Sequence, residues 1–173
     1  MPSQSTQPID IFIEGWGRLG PYWGINKVMA EIHALLYLSP EPLTLEEMSR
    51  KLKTSRSNVS TNVRHLVDLG VVKKVVIRGE RRDYYEAEED IGKVAKLLAV
   101  AKKRKELDPA MEIVDGALEG ARRASAGSDA FLEARLAELK RHMDFVNAIF
   151  HAFVGGEAGA QGLANVIRIK ENR

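Results

Sequence analysis

Hydroxyl and guanidinium side chains recur at helical spacing between residues 55 and 70. At about 100° per residue, Ser57, Thr61 and Arg64 project from one side of a helix, while Val59 and Val63 project from the other. Arginine can donate to both major-groove acceptors of guanine, and serine or threonine can contact bases or phosphates. The outward face therefore has the chemistry of non-covalent recognition of a DNA major groove.

A second group of cations lies between residues 73 and 82, where Glu80 is the single acid. Its members are Lys73, Lys74, Arg78, Arg81 and Arg82. Arginine on a hairpin tip is attracted by the negative potential of a minor groove. Lys73 and Lys74 face opposite sides of a strand, so at most one of them is well placed for a phosphate.

We combine both groups with the start of the helix, where free backbone N–H groups favour a phosphate. The predicted DNA-binding residues are Ser55, Arg56, Ser57, Ser60, Thr61, Arg64, His65, Lys74, Arg78, Arg81 and Arg82. Asn58 and Asn62 lie off the centre of the face, so their base contacts depend on the docking angle. The alternative for the same surface is a module that binds another protein without specific DNA binding.

The elements that must position these residues have clear sequence signals. Thr44 with Glu47 forms a capping box, and Ser55 suits the N-cap of the next helix. Gly70 is the expected stop of that helix. Residues 71–77 and 83–88 read as two strands joined by a tip at residues 79–82. This order predicts a winged helix-turn-helix.

Helices are expected on both sides of this segment. One runs from about Asp10 to Leu19 and ends at Gly20-Pro21, and a second closes at Ser39-Pro40. Helix resumes after Asp90, restarts at Asp108-Pro109 with proline at the first helical position, and breaks at Gly127-Ser128.

The last helix, from about Asp129 to Phe153, has apolar residues in alternating steps of four and three. They are Leu132, Leu136, Leu139, Met143, Val146, Phe150 and Phe153. This heptad seam is typical of helices that pack along their length, either within one chain or between two chains. Gly155-Gly156 is the expected end.

The predicted fold is mainly α with a small β-hairpin wing. We expect an N-terminal tail and helices for the dimer or an effector in residues 1–42, and a DNA-binding winged helix-turn-helix in 43–88. Helices for dimerisation follow in 89–154, and a C-terminal tail in 155–173.

Composition narrows the class of protein. The chain has 173 residues, 45% hydrophobic and 29% charged, with a net charge of only +2, so a DNA-binding surface must be a local patch. It has no cysteine, no apolar run of the ~20 residues that span a bilayer and no secretion signal at its start. We therefore expect a cytoplasmic protein without a membrane partner.

The residues give no sign of an enzyme. The histidines are His33, His65, His142 and His151, and no phosphate loop, activated serine or H-E-x-x-H motif accompanies them. His33 lies among apolar residues and is expected to be a hydrogen-bonded core group. We predict no catalytic residue, no metal site and no cofactor.

The segment TLEEMSRKLKTSRSNVSTNVRHLVDLGVVKKVVIRGERRDYYEA resembles the winged-helix domain of MarR-type regulators. With the preceding FIEGWGRLGPYWGINKVMAEIHALLYLSPEPLTLEEM, it is most similar to the glycine betaine synthesis repressor (GbsR) branch. The resemblance covers residues 9–125. It implies a homodimer that binds double-stranded DNA at a pseudo-palindromic operator, usually as a repressor. Regulators near this branch respond to choline.

A quaternary ammonium such as choline is recognised by aromatic faces. Trp16, Tyr22 and Trp23 lie close together in sequence, and with Tyr84 and Tyr85 they are the candidates for such a cage. The alternative is that these rings bury apolar area in the core or at a dimer interface.

Overall fold

A computed structural model describes residues 8–123 and 130–155 of the chain, which falls into two compact units divided after Ala101. The predicted Gly127-Ser128 break and the tail after Gly155 lie outside the described residues. The helices are α1 (Pro8–Leu19), α2 (Lys27–Tyr37), α3 (Leu45–Lys51), α4 (Arg56–Asp68), α5 (Ile91–Lys102), α6 (Asp108–Arg123) and α7 (Ala130–Gly155), and the strands are β1 (Leu43–Thr44), β2 (Val72–Val75) and β3 (Tyr84–Ala87).

Helices α1 and α2 approach each other closely because the turn that joins them begins with Gly20, which has no side chain. A short 3-10 helix, Gly20–Trp23, turns the chain after α1. A methyl group added at Gly20 would meet the Ala30 side chain at 2.8 Å and the Asn26 carbonyl at 3.0 Å. The predicted end of the first helix at Gly20-Pro21 is confirmed, since regular α-helix stops at Leu19.

Helices α3 and α4 form the helix-turn-helix, and both predicted caps are confirmed. Thr44 and Glu47 form a full capping box at α3, and the Ser55 side chain accepts from the Asn58 N–H at the start of α4. Lys53 adopts a left-handed conformation (φ 51°) in the turn between them. Gly70 follows α4 with φ 75°, which glycine adopts at little cost.

The wing is part of a three-stranded antiparallel sheet in the order β1-β3-β2. The pairs run from Val72 with Ala87 to Val75 with Tyr84, so both wing strands are shorter than predicted. The tip therefore extends over residues 76–83, with Gly79 at φ 90°. Sequence reasoning missed β1, whose pairing with β3 joins residues distant in sequence.

One apolar core holds the first unit together. It lies between α2, α3, α4 and the sheet, and its most deeply buried large side chains include Ile32, Met48, Val59, Val63 and Leu66. Val94 of α5 also belongs to this core. The apolar face predicted for α4 is thus buried, and this burial orients the opposite face outward.

The second unit is built on the antiparallel pair α6 and α7. Val114 and Leu118 of α6 are buried, and Lys140 of α7 pairs with Asp115 of α6 at 2.6 Å. The predicted helix start at Asp108-Pro109 is confirmed, since α6 begins at Asp108. No loop precedes it, because a π-helical turn, Lys103–Leu107, leads directly into α6. The Asp108 N–H donates to the Lys103 carbonyl, and this wider turn accommodates a proline that lacks an N–H.

None of the helices in the described ranges combines the length and apolar character needed to cross a membrane.

Candidate nucleic-acid interface

Helix α4 presents the predicted polar face to solvent. Ser57, Thr61 and Arg64 are exposed, and His65 is exposed beside them. Ser60 is half-buried at the flank of this face. Since Val59, Val63 and Leu66 are buried on the other side, the helix cannot rotate to hide the polar face without exposing its core contacts.

Two predicted residues at the start of α4 already have partners inside the protein. The Ser55 hydroxyl accepts from the Asn58 N–H at 3.2 Å, and its O–H can still donate. Arg56 forms an ion pair with Glu46 of α3. The hydrogen bond from Arg56 lowers the pKa of the Glu46 carboxyl, which therefore stays ionised beside the proposed phosphate site.

The cations of the wing fall into two groups. Arg78 and Arg81 are exposed and, like Arg64 on α4, form no ion pair with any residue that the structure describes. Guanidinium groups of this kind are available for a phosphate or a base. Val76, at the base of the tip, is 85% exposed, so the tip projects away from the core.

The remaining wing cations are paired. Lys74 lies 2.9 Å from Asp83, and this hydrogen bond raises the pKa of the Lys74 ammonium. Arg82 donates to Glu80 at 3.1 Å and to the Tyr84 hydroxyl at 2.8 Å, and its guanidinium lies 5.5 Å from the centre of the Tyr84 ring. The hydrogen bond to Glu80 raises the pKa of Arg82.

Lys73 is also paired, because its Nζ atom lies 3.2 Å from Oε2 of Glu88. Glu88 is a buried carboxylate at the end of the wing and also accepts from Lys93 of α5. Hydrogen bonds from Lys93 and Lys73 lower the pKa of Glu88 to about 2. This carboxylate therefore joins the base of the wing to the next helix.

Asn58 and Asn62, which lie off the centre of the polar face, are bonded to each other. Asn62 is buried, and its side chain bonds both to Asn58 and to Asn26, the N-cap of α2. The spacing of Asn58 and Asn62, four residues apart in one helix, was the available signal. The contact with Asn26 joins residues 36 positions apart and has no local signature.

The aromatic candidates do not form one group. The rings of Trp16 and Trp23 are 4.5 Å apart, and Phe12 stacks on Trp16 at 5.2 Å. Tyr22 is 76% exposed. Within the described part of the chain, Tyr84 and Tyr85 form no ring contact with either tryptophan. Tyr84 is buried under Arg82, and Tyr85 is half-buried against the core.

His33 is buried as predicted, but the prediction that its side chain is hydrogen-bonded is wrong for one ring nitrogen. Its Nε2 atom has no partner among the described residues, and burial lowers the pKa of the ring. His33 lies parallel to the Tyr37 ring at 6.3 Å. Across residues 8–123 and 130–155, no three His, Asp or Glu side chains are grouped so as to hold a metal ion.

Two capped helices, a hairpin paired to a short strand and an outward polar helix face define a winged helix-turn-helix. Residues 23–83 match the MarR family. The winged helix-turn-helix segment of this chain is thus similar to that family, in agreement with the resemblance noted in its sequence.

Comparison with known proteins gives relatives of the same kind. The HTH-type transcriptional repressor GbsR of Bacillus subtilis is 34% identical over 87 residues, which are 50% of this chain and 48% of the repressor. The HTH-type transcriptional repressor OpcR of the same organism is 29% identical over 68 residues, 39% of this chain and 37% of OpcR. The chain thus spans half or less of the length of these relatives.

A solved structure extends the likeness of the fold beyond the matched segment. A crystallised transcriptional regulator, 19% identical in sequence, superposes with a TM-score of 0.62 over 86% of this chain and 97% of that chain. The likeness concerns the fold, which is the mainly helical architecture with a small sheet that the sequence predicts.

Proposed function

We propose that this protein is a transcriptional regulator that binds double-stranded DNA sequence-specifically. The observation that carries the proposal is the exposed α4 face of Ser57, Thr61 and Arg64, which the buried opposite face of the helix orients outward. The same unit carries a wing with two arginines that form no ion pair within the described residues. In this arrangement α4 would enter a major groove and the wing would reach an adjacent minor groove.

The proposal includes repression from a pseudo-palindromic operator by a homodimer. Support for the dimer comes from α7, where Leu132, Leu139, Val146 and Phe153 follow one another at seven-residue intervals and are each about half exposed. An apolar stripe of this length is costly to leave in water, and a second copy of the helix can bury it. Two copies of α4 would then read successive half-sites about one helical turn apart.

The proposal also includes control by a small cationic ligand such as choline. The cluster of Phe12, Trp16 and Trp23, with Tyr22 exposed next to it, is the proposed contact region. A ligand would regulate the protein if it bound two dimer geometries with different affinities. Calorimetric titration with choline and with glycine betaine tests this part, and an absence of binding heat would remove it.

Fluorescence anisotropy tests DNA binding directly. Purified protein is titrated into the DNA upstream of its own gene and into a scrambled control, at several salt concentrations. We expect tighter binding to the upstream fragment and a steep decrease in affinity with salt, because phosphate contacts release counterions. Equal, weak binding to both fragments would favour the alternative, a winged helix that binds another protein.

Arg64→Ala tests whether the exposed face of α4 contacts DNA bases. If Arg64 reads a base, its loss should cost roughly 1–3 kcal/mol of binding free energy and relax the sequence preference at one operator position. Asp68→Ala, at an exposed position one turn further along α4, is the matched control. If Arg64→Ala binds the operator with the affinity and sequence preference of the parent, the hypothesis that this face of α4 contacts bases is wrong.

A further inference from the structure

A chain of hydrogen bonds runs from the start of α2 to the start of α4. Asn26 Oδ1 accepts from the Met29 N–H at 2.9 Å, and Asn26 Nδ2 donates to Asn62 Oδ1 at 2.7 Å. Asn62 Nδ2 donates at 2.8 Å to both the backbone carbonyl and the side-chain oxygen of Asn58. Asn58 Nδ2 donates to Thr54 Oγ1 at 2.9 Å.

Backbone groups fix the orientation of two of the amides in this chain, Asn26 and Asn62. A carboxamide can present either its oxygen or its NH2 group to a neighbour that both donates and accepts. The Met29 N–H can only donate, so Asn26 must present its oxygen there. The Asn58 carbonyl can only accept, so Asn62 must present its NH2 group there. Because Asn62 Nδ2 also lies 2.8 Å from the Asn58 side chain, Asn58 must present its oxygen there, and only one arrangement of the three amides remains.

This direction passes from the interior to the surface. Asn62 is 5% exposed, whereas Asn58 is exposed on the first turn of α4. In the arrangement that satisfies the backbone, Asn58 Oδ1 faces Asn62 and Asn58 Nδ2 faces Thr54. The NH2 group of Asn58 retains one N–H after its bond to Thr54, and this N–H can serve an external acceptor.

We propose that Asn62 is a specificity-determining positioning residue, which locks Asn58 as a hydrogen-bond donor to an acceptor atom on one operator base. The inference rests on the proposed DNA-binding function. The major-groove acceptors are N7 and O6 of guanine, N7 of adenine and O4 of thymine, whereas cytosine presents an amino donor. A free amide could rotate to accept from cytosine, and the locked amide cannot.

Asn62→Leu removes the lock with little change in side-chain volume. The groups that lose a partner belong to exposed residues, Asn26 and Asn58, so water can replace the lost hydrogen bonds. In anisotropy titrations against operators changed one base pair at a time, we expect an unchanged salt slope. We also expect the discrimination against cytosine at one position to decrease from about ten-fold to about two-fold.

A double-mutant cycle shows whether Asn62 acts through Asn58. If it does, Asn62→Leu adds nothing to Asn58→Ala, and the double variant discriminates as Asn58→Ala alone does. Additive losses would overturn the proposal. Val63→Ala is the matched control, because it loosens the buried face of α4 next to Asn62 and leaves the amide chain intact. An equal loss of discrimination in that variant would also overturn the proposal.

An NMR measurement without DNA separates this inference from the proposed function. The side-chain NH2 signals of Asn58 in the parent should differ from those of a solvated amide, and Asn62→Leu should move them to solvated values. Unmoved Asn58 signals would overturn the lock even when the parent selects its operator. A parent without any sequence preference would refute the proposed function and the base-reading role, while the NMR signature of the lock would persist.

Discussion

At the scale of single residues, the basic side chains of the wing are not equivalent. Arg81 is exposed and unpaired within the described residues, whereas Arg82 is held by Glu80 and the Tyr84 hydroxyl. A cation that keeps its protein partner neutralises no phosphate and releases no counterion when DNA binds. Neighbours in sequence therefore have different roles.

Arg81→Ala and Arg82→Ala are a matched pair for this distinction. We expect Arg81→Ala to reduce the slope of log affinity against log salt by about 1, as for the loss of one phosphate contact. Arg82→Ala should change the slope less and should expose the Tyr84 ring. Anisotropy titrations over a salt series give both values, and a larger slope change for Arg82→Ala would contradict the assignment.

Glu46 should restrain DNA binding through Arg56. Glu46→Gln removes a carboxylate from the proposed phosphate site and frees the Arg56 guanidinium, so the operator should bind about two- to five-fold more tightly. Glu89→Gln makes the same change in net charge at an exposed position outside the proposed surface. Equal gains from both variants would mean that only net charge matters.

At the scale of elements, local sequence signals predict helices α3 and α4 of the winged helix-turn-helix. Long-range contacts determine the short strand β1 and the ion pairs. The capping box at Thr44 and the N-cap at Ser55 each depend on residues three apart, so the sequence reveals them. Strand β1 has only two residues and exists because it pairs with Tyr84 and Tyr85. The ion pairs that hold some of the predicted cations and leave others exposed also depend on the folded arrangement, which no spacing rule encodes.

Two glycines of the N-terminal segment provide a stability test of the α1–α2 packing. Gly20→Ala should destabilise the fold by about 1–3 kcal/mol, since its methyl group would collide with Ala30 and the Asn26 carbonyl. Gly15→Ala has open space and should stabilise the exposed helix by about 0.5–1 kcal/mol. Urea unfolding measures both, and equal effects would contradict the close packing.

At the scale of the whole molecule, acid should weaken the protein through Glu88. Its pKa is lowered from 4.5 to about 2 in the folded state, so the folded state binds a proton less readily than the unfolded state. The resulting stability is fully present above pH 4.5 and decreases as pH falls towards 2. In urea titrations between pH 6 and 3, Glu88→Gln should flatten this dependence. A parent-like slope would exclude Glu88 as its source.

The proposed dimer should depend on the apolar stripe of α7. The double variant Leu139→Asp/Val146→Asp places two charges on that stripe and should shift the protein towards monomer. Sedimentation velocity would show this as a lower sedimentation coefficient. Ala134→Asp adds a charge to the same helix at an exposed position outside the stripe and should leave the sedimentation coefficient unchanged. Monomeric parent protein at micromolar concentration would refute the dimer.

Thr44 joins the sheet to the helix-turn-helix. It lies opposite Tyr84 in the sheet, and its N–H and hydroxyl close the capping box with Glu47. The base of the wing therefore cannot separate from the domain without uncapping α3. Hydrogen exchange should accordingly find one cooperative opening for the first turn of α3 and for β3, rather than a wing that opens alone. The hairpin that carries Arg78 and Arg81 would then be as long-lived as the domain that supports it.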